Sequence, residues 1–294
     1  MQKVTKLLLF LLMLPLAFAS AASNKKVSEK RMAAYLMVFH RDDTHSLYMA
    51  LSRDGYHFTA LNNARPVISG DTIAEQRGVR DPHIYRGPDG AFYLVATDLH
   101  IYAQREGKRA TEWERDGEAY GWGNNRGLVL MKSHDLIHWT HTVVNINEMS
   151  PELADIGCAW APETIYDEKT GRLMIYFTMR HKNGPNKLYY VYANNDFNRI
   201  ETTPKLLFEY PDTKITAIDG DICYAQGKYH LFYARPASSK PRLKASTVVG
   251  NTCPPGAILS LRHAKLRPYG SASARRSGCS CTTITDRRFT TSAS

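Results

Sequence analysis

The feature of this sequence that most constrains its fold is an internal repeat of hairpin-like segments. Three stretches, at residues 81–98, 161–178 and 218–233, start near an acidic residue, pass through a Gly-containing turn and end in a strand rich in aromatic and β-branched residues. A hairpin of this kind buries one face and needs neighbours, and the spacing of the repeats is too long for helical repeats. The repeat therefore predicts the blades of a propeller.

A second pattern recurs in the outer half of each repeat. An apolar strand leads to an Asp-bearing turn and then an aromatic residue at residues 47–58 and 128–139, and in shortened form at residues 188–197. Long helical patterns with capping residues are absent between Tyr35 and Tyr233. Both patterns predict an all-β fold, and a single domain accommodates the 294 residues.

The first repeat is incomplete, because the strands near residues 35–39 and 47–52 have no acidic hairpin before them. Propellers commonly close by completing one blade with strands from both chain ends. Residues 234–294 do not supply such a strand pattern, since they are rich in Ser, Arg, Pro, Ala and Thr and lack alternation. We expect an incomplete propeller domain at residues 24–233 and a disordered basic tail at residues 234–294.

The distribution of charge argues against a nucleic-acid partner. The net charge is +10, but residues 24–233 hold 25 Lys and Arg against 27 Asp and Glu, whereas residues 234–294 hold 11 against one acid. A nucleic-acid interface would therefore depend on the tail alone. The abrupt loss of pattern after Tyr233 raises a different hypothesis, that the tail is translated out of frame.

Residues 275–279 (Arg-Arg-Ser-Gly-Cys) bear on that hypothesis. They can be encoded by CGA AGG AGC GGG TGT, which reads Glu-Gly-Ala-Gly when the frame moves forward by one nucleotide. A native disordered tail is the alternative, and it explains the loss of pattern equally well.

Residues 1–23 predict export. Two lysines precede an apolar run at residues 7–19, and small residues follow it. This is the layout of a secretory signal peptide, and the run of 13 residues is shorter than the about 20 that cross a bilayer. We expect cleavage after Ala19 or Ala21, a periplasmic or extracellular protein, and no membrane span.

The five cysteines match no zinc template. Cys158 and Cys223 stand alone at strand-like positions, which favours small buried apolar residues over disulfide partners. Cys253, Cys279 and Cys281 lie in the tail.

A carboxylate stands near the start of each repeat, at Asp81, Glu163 and Asp219. Each residue alone has an ordinary explanation as part of a turn or a strand start. Recurrence at the same point of successive hairpins favours a common role near the propeller axis. Hydrolysis of an acetal needs paired carboxyl groups on opposite sides of the bond, so the pattern predicts a glycosidase site.

Residues 34–233 resemble glycoside hydrolase family 43, whose members include arabinofuranosidases, xylosidases and endo-arabinanases on a five-bladed β-propeller. The motifs that carry the resemblance are residues 78–84 (Gly-Val-Arg-Asp-Pro-His-Ile), 133–139 (Ser-His-Asp-Leu-Ile-His-Trp), 160–163 (Trp-Ala-Pro-Glu) and 218–219 (Ile-Asp). The implied fold is a five-bladed β-propeller whose last blades are missing or replaced.

The resemblance implies roles for two of the carboxylates. Asp81 matches the general base of the family, and Asp219 matches the second Asp, which orients the general acid and tunes its pKa. The general acid is a Glu in a later Glu-Gly strand start, and no residue of this chain matches it. The implied reaction is inverting hydrolysis of arabinose- or xylose-containing polysaccharides or oligosaccharides, and we expect this chain to be inactive or nearly so.

Five further residues are candidates for contact with the sugar. Arg80 is expected to hold a neighbouring carboxylate ionised or to contact hydroxyl groups, with a surface ion pair as the alternative. Trp160 and Trp122 are candidates for stacking on an apolar sugar face, with blade packing as the alternative. Glu163 and His181 are expected to line the same cleft, although His181 is equally explained as an ordinary loop residue.

The expected partner is a polysaccharide or oligosaccharide, with no nucleic acid. No cofactor is expected, and these residues define no metal site. Two other functions stay open. One is a carbohydrate-binding propeller without catalysis, which the missing Glu supports; the other is a glycoside phosphorylase or fructan-active enzyme, because acidic strand starts do not select the sugar.

Overall fold

The structure, a computed structural model, describes residues 33–108, 115–225, 227–235, 242–245 and 279–284. These residues fold almost entirely into antiparallel strands, joined by turns and a few single helical turns. No helix within them is long and apolar enough to cross a membrane. The all-β prediction is confirmed.

The strands follow one another without a long helix between them. They are β1 (Ala34–His40), β2 (Leu47–Ser52), β3 (Thr59–Ala60), β4 (Val79–Arg86), β5 (Phe92–Asp98), β6 (Gly127–Ser133), β7 (Thr140–Asn145), β8 (Ile156–Asp167), β9 (Arg172–His181), β10 (Lys187–Ala193), β11 (Lys205–Phe208), β12 (Ile218–Ala225), β13 (Lys228–Arg235), β14 (Arg242–Ala245) and β15 (Cys279–Ile284). The helices are α1 (Gly70–Ile73) and α2 (Gly117–Tyr120), and 3-10 turns cover Asn62–Ala64, Ile146–Glu148 and Pro151–Leu153.

Consecutive strands form four sheets. The first contains β15, β1, β2 and β3 in spatial order, the second β4 to β7, the third β8 to β11 and the fourth β12 to β14. The innermost strand β8 contacts both β4 and β12, so the innermost strands of successive sheets lie side by side. This is the blade arrangement of a β-propeller, and the described residues account for four of the five expected blades.

The strands of the repeats are apolar because they pack on both faces, as β5 illustrates. Leu94 and Ala96 pack in a core cluster between the first and second sheets, whereas Tyr93 and Val95 pack in a cluster between the second and third sheets. Because neighbouring sheets cover both faces of the strand, a continuous apolar run replaces the usual alternation. A third cluster joins the third and fourth sheets in the same way.

The second sequence pattern corresponds to the same hydrogen-bonded turn in the first and in the second sheet. Ser52 Oγ accepts from the N–H groups of the two residues that follow Arg53, and Asp54 Oδ1 accepts from the two N–H groups that follow Gly55. Ser133 and Asp135 make the same four bonds in the second sheet. The second predicted pattern therefore corresponds to a real structural repeat.

Two strands lie in the segment for which the sequence predicts disorder. Strand β14 pairs with β13 and extends the fourth sheet, and β15 pairs with β1 at the innermost position of the first sheet. Backbone pairing with an open strand edge does not require an alternating side-chain pattern, so a segment without that pattern is able to pair as a strand. The other residues after Arg235, and residues 1–23, lie outside the described residues. Tail disorder, the reading frame and the signal peptide stay predictions.

The two cysteines of the propeller domain form no disulfide. Cys158 is completely buried, and this burial raises the pKa of its thiol to about 12. Cys223 is partly exposed. The prediction of a small buried residue is confirmed for Cys158.

Candidate active site

The innermost strands of three sheets carry the same irregularity. Strands β4, β8 and β12 each contain a β-bulge, where one extra residue stands opposite the neighbouring strand. In each bulge one residue with a side chain has positive φ, 47° at Asp81, 44° at Ala161 and 53° at Asp219. This conformation costs roughly 1–3 kcal/mol. Bulges re-aim a side chain and are common next to active sites, so the three positions form a candidate site.

Each bulge residue donates its backbone N–H to a side chain of the preceding sheet. The three pairs are Asp81 with His40 Nδ1 at 3.0 Å, Ala161 with Thr97 Oγ1 at 2.9 Å, and Asp219 with Thr178 Oγ1 at 3.2 Å. The acceptors all lie on the second strand of their sheet, which confirms that the three bulges are equivalent. A bulge removes an N–H from the ladder, so these acceptors offset the loss of a backbone hydrogen bond.

The predicted repeat of three carboxylates is wrong at its middle member. Ala161, not Glu163, occupies the position equivalent to Asp81 and Asp219. The reason is that the Ala-Pro of the second repeat aligns with the Asp-Pro of the first, which places Glu163 two residues further along the strand. The bulges therefore carry two carboxylates, in the second and fourth sheets.

Glu163 connects two sheets. Its side chain is buried, and its Oε2 accepts a hydrogen bond from the Tyr176 hydroxyl at 2.7 Å. The same hydroxyl accepts from the Ile222 N–H at 2.9 Å, which ties the third sheet to β12. Burial raises the pKa of Tyr176 well above its usual value, so the hydroxyl keeps the proton that it donates. Glu163 thus helps to join the third sheet to β12 through Tyr176, and its contact with a substrate stays a prediction.

Asp42 lies beside the first bulge, and no sequence pattern singled it out. Arg80 Nη1 donates to Asp42 Oδ1 at 2.6 Å, and His40 Nε2 lies 3.5 Å from the same oxygen. The His40 and Arg80 side chains hold the pKa of Asp42 well below its usual range, against the opposing effect of burial. The Arg80 side chain is buried whereas the Asp42 side chain is 39% exposed, so the ion pair joins the interior to the surface, and a sugar contact by Arg80 stays a prediction.

Two buried histidines pack behind Arg80. The rings of His45 and His100 stack with centroids 4.0 Å apart and planes inclined by 12°. Gly78 makes room for them, since a Cβ on Gly78 would lie 2.6 Å from the Cβ of His100 and 2.7 Å from that of His45. Burial lowers the pKa of His45 to about 3, so this ring is neutral, and its Nε2 accepts from the Ile101 N–H at 3.3 Å. These contacts explain the glycine that opens the motif at residues 78–84.

The two candidate tryptophans lie next to each other. Trp160 directly precedes Ala161; its Nε1 donates to the Gly123 carbonyl at 2.9 Å, and the Arg180 guanidinium lies 4.3 Å from its ring centroid. Trp122 packs edge-on against Trp160 with ring centroids 6.1 Å apart and is still 67% exposed. Trp160 is therefore held by its neighbours, whereas the ring of Trp122 is open to solvent.

A cleft of about 440 Å³ opens beside Trp122. Its lining mixes apolar, polar and charged groups, namely Leu99, Ile101, Gln104, Arg115, Asp116, Gly117, Gly121, Trp122, Gly123 and Asn124. An exposed indole next to hydrogen-bonding groups suits a sugar, which has an apolar ring face and hydroxyl groups. The lining does not include His181, which is exposed at the end of β9.

The chemistry available to the site comes from Asp81 and Asp219. They lie on the innermost strands of the second and fourth sheets, on either side of β8, and carboxylates are groups that transfer protons to and from a water or a sugar oxygen. Within the described residues, no group of three or more His, Cys, Asp or Glu side chains is placed to hold a metal ion.

A family profile matches most of the chain. The profile described as "Probable glycosyl hydrolase domain", of the glycoside hydrolase 43-related family, matches residues 30–252. Among characterised proteins, an alpha-L-arabinofuranosidase of Bifidobacterium longum subsp. longum is 27% identical over 134 residues, which are 43% of this chain and 11% of that protein. The chain thus spans about a tenth of the length of that relative.

Solved structures of low sequence identity are also similar. An exo-1,5-alpha-L-arabinanase from a bovine ruminal metagenomic library is 17% identical with a TM-score of 0.45, and the match covers 70% of this chain and 62% of that one. A GH43 protein of Bacillus licheniformis is 16% identical with a TM-score of 0.45, and the match covers 71% of this chain and 35% of that one.

Proposed function

This chain belongs to the glycoside hydrolase 43-related family of glycosyl hydrolase domains, and on that premise we propose that it carries a glycosidase site for arabinose- or xylose-containing polysaccharides or oligosaccharides. The observation that carries the proposal is the pair of equivalent bulges that hold Asp81 and Asp219 on innermost strands. Hydrolysis of a glycosidic bond needs carboxyl groups on both sides of that bond. The alpha-L-arabinofuranosidase relative favours a pentose as the sugar.

In this proposal Asp81 is the general base. Its carboxylate takes a proton from a water molecule while the water oxygen attacks the anomeric carbon, and the bond to the leaving oxygen breaks on the opposite face. The configuration at the anomeric carbon therefore inverts. Inverting enzymes hold the base and the acid about 6.5–9.5 Å apart, which leaves space for the water.

Asp219 has an electrostatic role in the proposal. It would orient the general acid and raise its pKa, because a nearby negative charge disfavours ionisation of a second carboxyl group. No residue of this chain matches the Glu that the family resemblance assigns as that acid. We therefore propose that this chain, as it stands, fails to cleave ordinary glycosides because their leaving oxygen receives no proton.

The cleft beside Trp122 is the proposed contact for the rest of the sugar chain. An indole that is 67% exposed, and that packs edge-on against the held ring of Trp160, presents a fixed apolar face. Arg80 is paired with Asp42, so it acts on the site through that carboxylate. The contacts proposed from the sequence for Glu163 and His181 lack this support.

Replacement of Trp122 by Ala is expected to weaken retention on insoluble arabinoxylan by about tenfold, since losing the face of a Trp at a binding site typically costs more than 1 kcal/mol. The measurement is the bound fraction of the full chain over a series of polysaccharide concentrations. Tyr56→Ala is the matched control, because Tyr56 is 82% exposed but lies in the turn between β2 and β3. Equal retention of Trp122→Ala and the unaltered chain would remove Trp122 from the binding surface.

A carbohydrate-binding propeller without catalysis is the second candidate function. The absence of a match for the general acid favours it. Release of pentose from aryl glycosides would support the glycosidase, whereas retention on polysaccharide without release from any glycoside would support the binding protein.

A further inference from the structure

We infer that His40 is a positioning residue that holds Asp81 in its strained backbone conformation by accepting the Asp81 N–H. The inference rests on the proposed function, in which Asp81 is the general base. It concerns a residue on the first sheet that acts on the second sheet, across the contact between β1 and β4.

The first step is the equivalence of the three bulges. Each bulge N–H has one side-chain acceptor on the preceding sheet, and two of these acceptors are the threonines Thr97 and Thr178. Only the bulge of Asp81 uses an imidazole, that of His40. A threonine acceptor is therefore sufficient to hold a bulge of this kind, and the imidazole at Asp81 needs a separate explanation.

The explanation lies on the other side of the ring. Because His40 Nδ1 accepts the Asp81 N–H at 3.0 Å, the neutral ring carries its proton on Nε2. Nε2 makes no hydrogen bond within the described residues but lies 3.5 Å from Asp42 Oδ1, and the same oxygen accepts from Arg80 at 2.6 Å. Arg80 precedes Asp81 in the chain. The contacts from Asp81 through His40 and Asp42 therefore lead back to Arg80, and we call this closed ring of contacts the circuit. A threonine has a single polar side-chain atom, so it cannot both accept the Asp81 N–H and lie against Asp42.

This circuit fixes the backbone on both sides of the peptide bond between Arg80 and Asp81. The Arg80 side chain is held through Asp42, and the Asp81 N–H is held through His40, whose ring is almost fully buried. A general base must keep its oxygen within hydrogen-bond reach of the attacking water. Loss of the imidazole would let the bulge relax and would move the Asp81 carboxylate without removing it.

The test compares three variants of the full chain, His40→Leu, His40→Asn and Thr97→Val, with a dinitrophenyl pentoside as the substrate. Such a leaving group departs without a proton, so the assay does not depend on the missing general acid. For His40→Leu we expect kcat to fall about 10- to 100-fold with little change in KM, since a misplacement of about 1 Å has an effect of that size. His40→Asn is expected to keep a kcat near that of the unaltered chain, because its Oδ1 takes the place of Nδ1.

Thr97→Val is the matched control, since it removes the same hydrogen bond at Ala161, where there is no carboxylate. We expect a lower melting temperature and an unchanged kcat. A His40→Leu variant with normal kcat would overturn the inference. It would also be overturned if His40→Leu and Thr97→Val lost kcat equally, because His40 would then act only through stability.

Hydrogen exchange at the Asp81 amide separates this inference from the proposed function. Protection of that amide is expected in the unaltered chain and in His40→Asn, and its loss is expected in His40→Leu. If the unaltered chain hydrolyses no glycoside, the proposed function fails, but the exchange measurement still decides the role of His40. Equal protection in all three proteins would overturn it.

Discussion

Replacement of Asp81 by Asn is expected to lower the turnover of a dinitrophenyl pentoside by about 100- to 10,000-fold, which is the usual contribution of a general base. Asn has the shape of Asp but cannot take a proton from water. KM is expected to change little, because the base acts mainly in the transition state. The measurement is steady-state release of dinitrophenol by the full chain and by Asp81→Asn.

The matched control for this substitution is Asp89→Asn. Asp89 lies in the turn between β4 and β5, where it accepts from the Tyr93 hydroxyl and the Ala91 N–H, away from the bulge. Its replacement is expected to leave turnover unchanged. An Asp81→Asn variant with near-normal turnover would remove Asp81 from the mechanism, whatever the stability of the variant.

The second large effect concerns the leaving group. We expect the full chain to hydrolyse dinitrophenyl pentosides and to have no measurable activity on methyl pentosides or on xylobiose. An alkoxide leaving group needs a proton in the transition state, whereas dinitrophenolate does not. General acid catalysis contributes about 100- to 10,000-fold, so the proposed lack of a general acid is expected to suppress hydrolysis of the methyl pentosides and of xylobiose but not of the dinitrophenyl pentosides.

A series of aryl pentosides with leaving groups of increasing basicity measures this dependence. The expected result is a steep fall in turnover along the series. Each substrate is also tested with Asp81→Asn, which shows how much of the observed hydrolysis comes from the site. Turnover that is independent of the leaving group, or rapid cleavage of xylobiose, would show that the chain holds a general acid after all.

The blades were predictable from the sequence because packing between sheets leaves a local signal. Leu94 and Val95 face different neighbouring sheets, so β5 had to be apolar along its whole length. The Asp-bearing turns were also predictable from a local signal, because Ser133 and Asp135 form their hydrogen bonds with residues close by in the sequence. Such short-range patterns are visible without the structure.

The details of the site were less predictable because they depend on contacts between sheets. His40 and Asp81 are 41 residues apart, and Asp42 and Arg80 are 38 residues apart, so nothing local connects them. The wrong placement predicted for Glu163 has a different cause. The prediction aligned acidic residues, whereas the bulge geometry aligns the residues that precede Pro82 and Pro162.

Strand β15 was not predictable from the sequence for a third reason. Strand β15 pairs with β1 at the place where ring closure requires a strand, although the sequence there has no strand pattern. Strand pairing joins backbone groups, which the open edge of β1 offers to any extended segment.

The stereochemistry of the first product is the most direct measurement of the proposed mechanism. Proton NMR during hydrolysis of a dinitrophenyl β-D-xylopyranoside by the full chain distinguishes the two anomers of xylose before they interconvert. Direct attack by a water that Asp81 deprotonates predicts α-D-xylose as the first product, with Asp81→Asn abolishing its formation. First release of β-D-xylose, or formation of α-D-xylose at an unchanged rate by Asp81→Asn, would contradict the inverting mechanism proposed for this site.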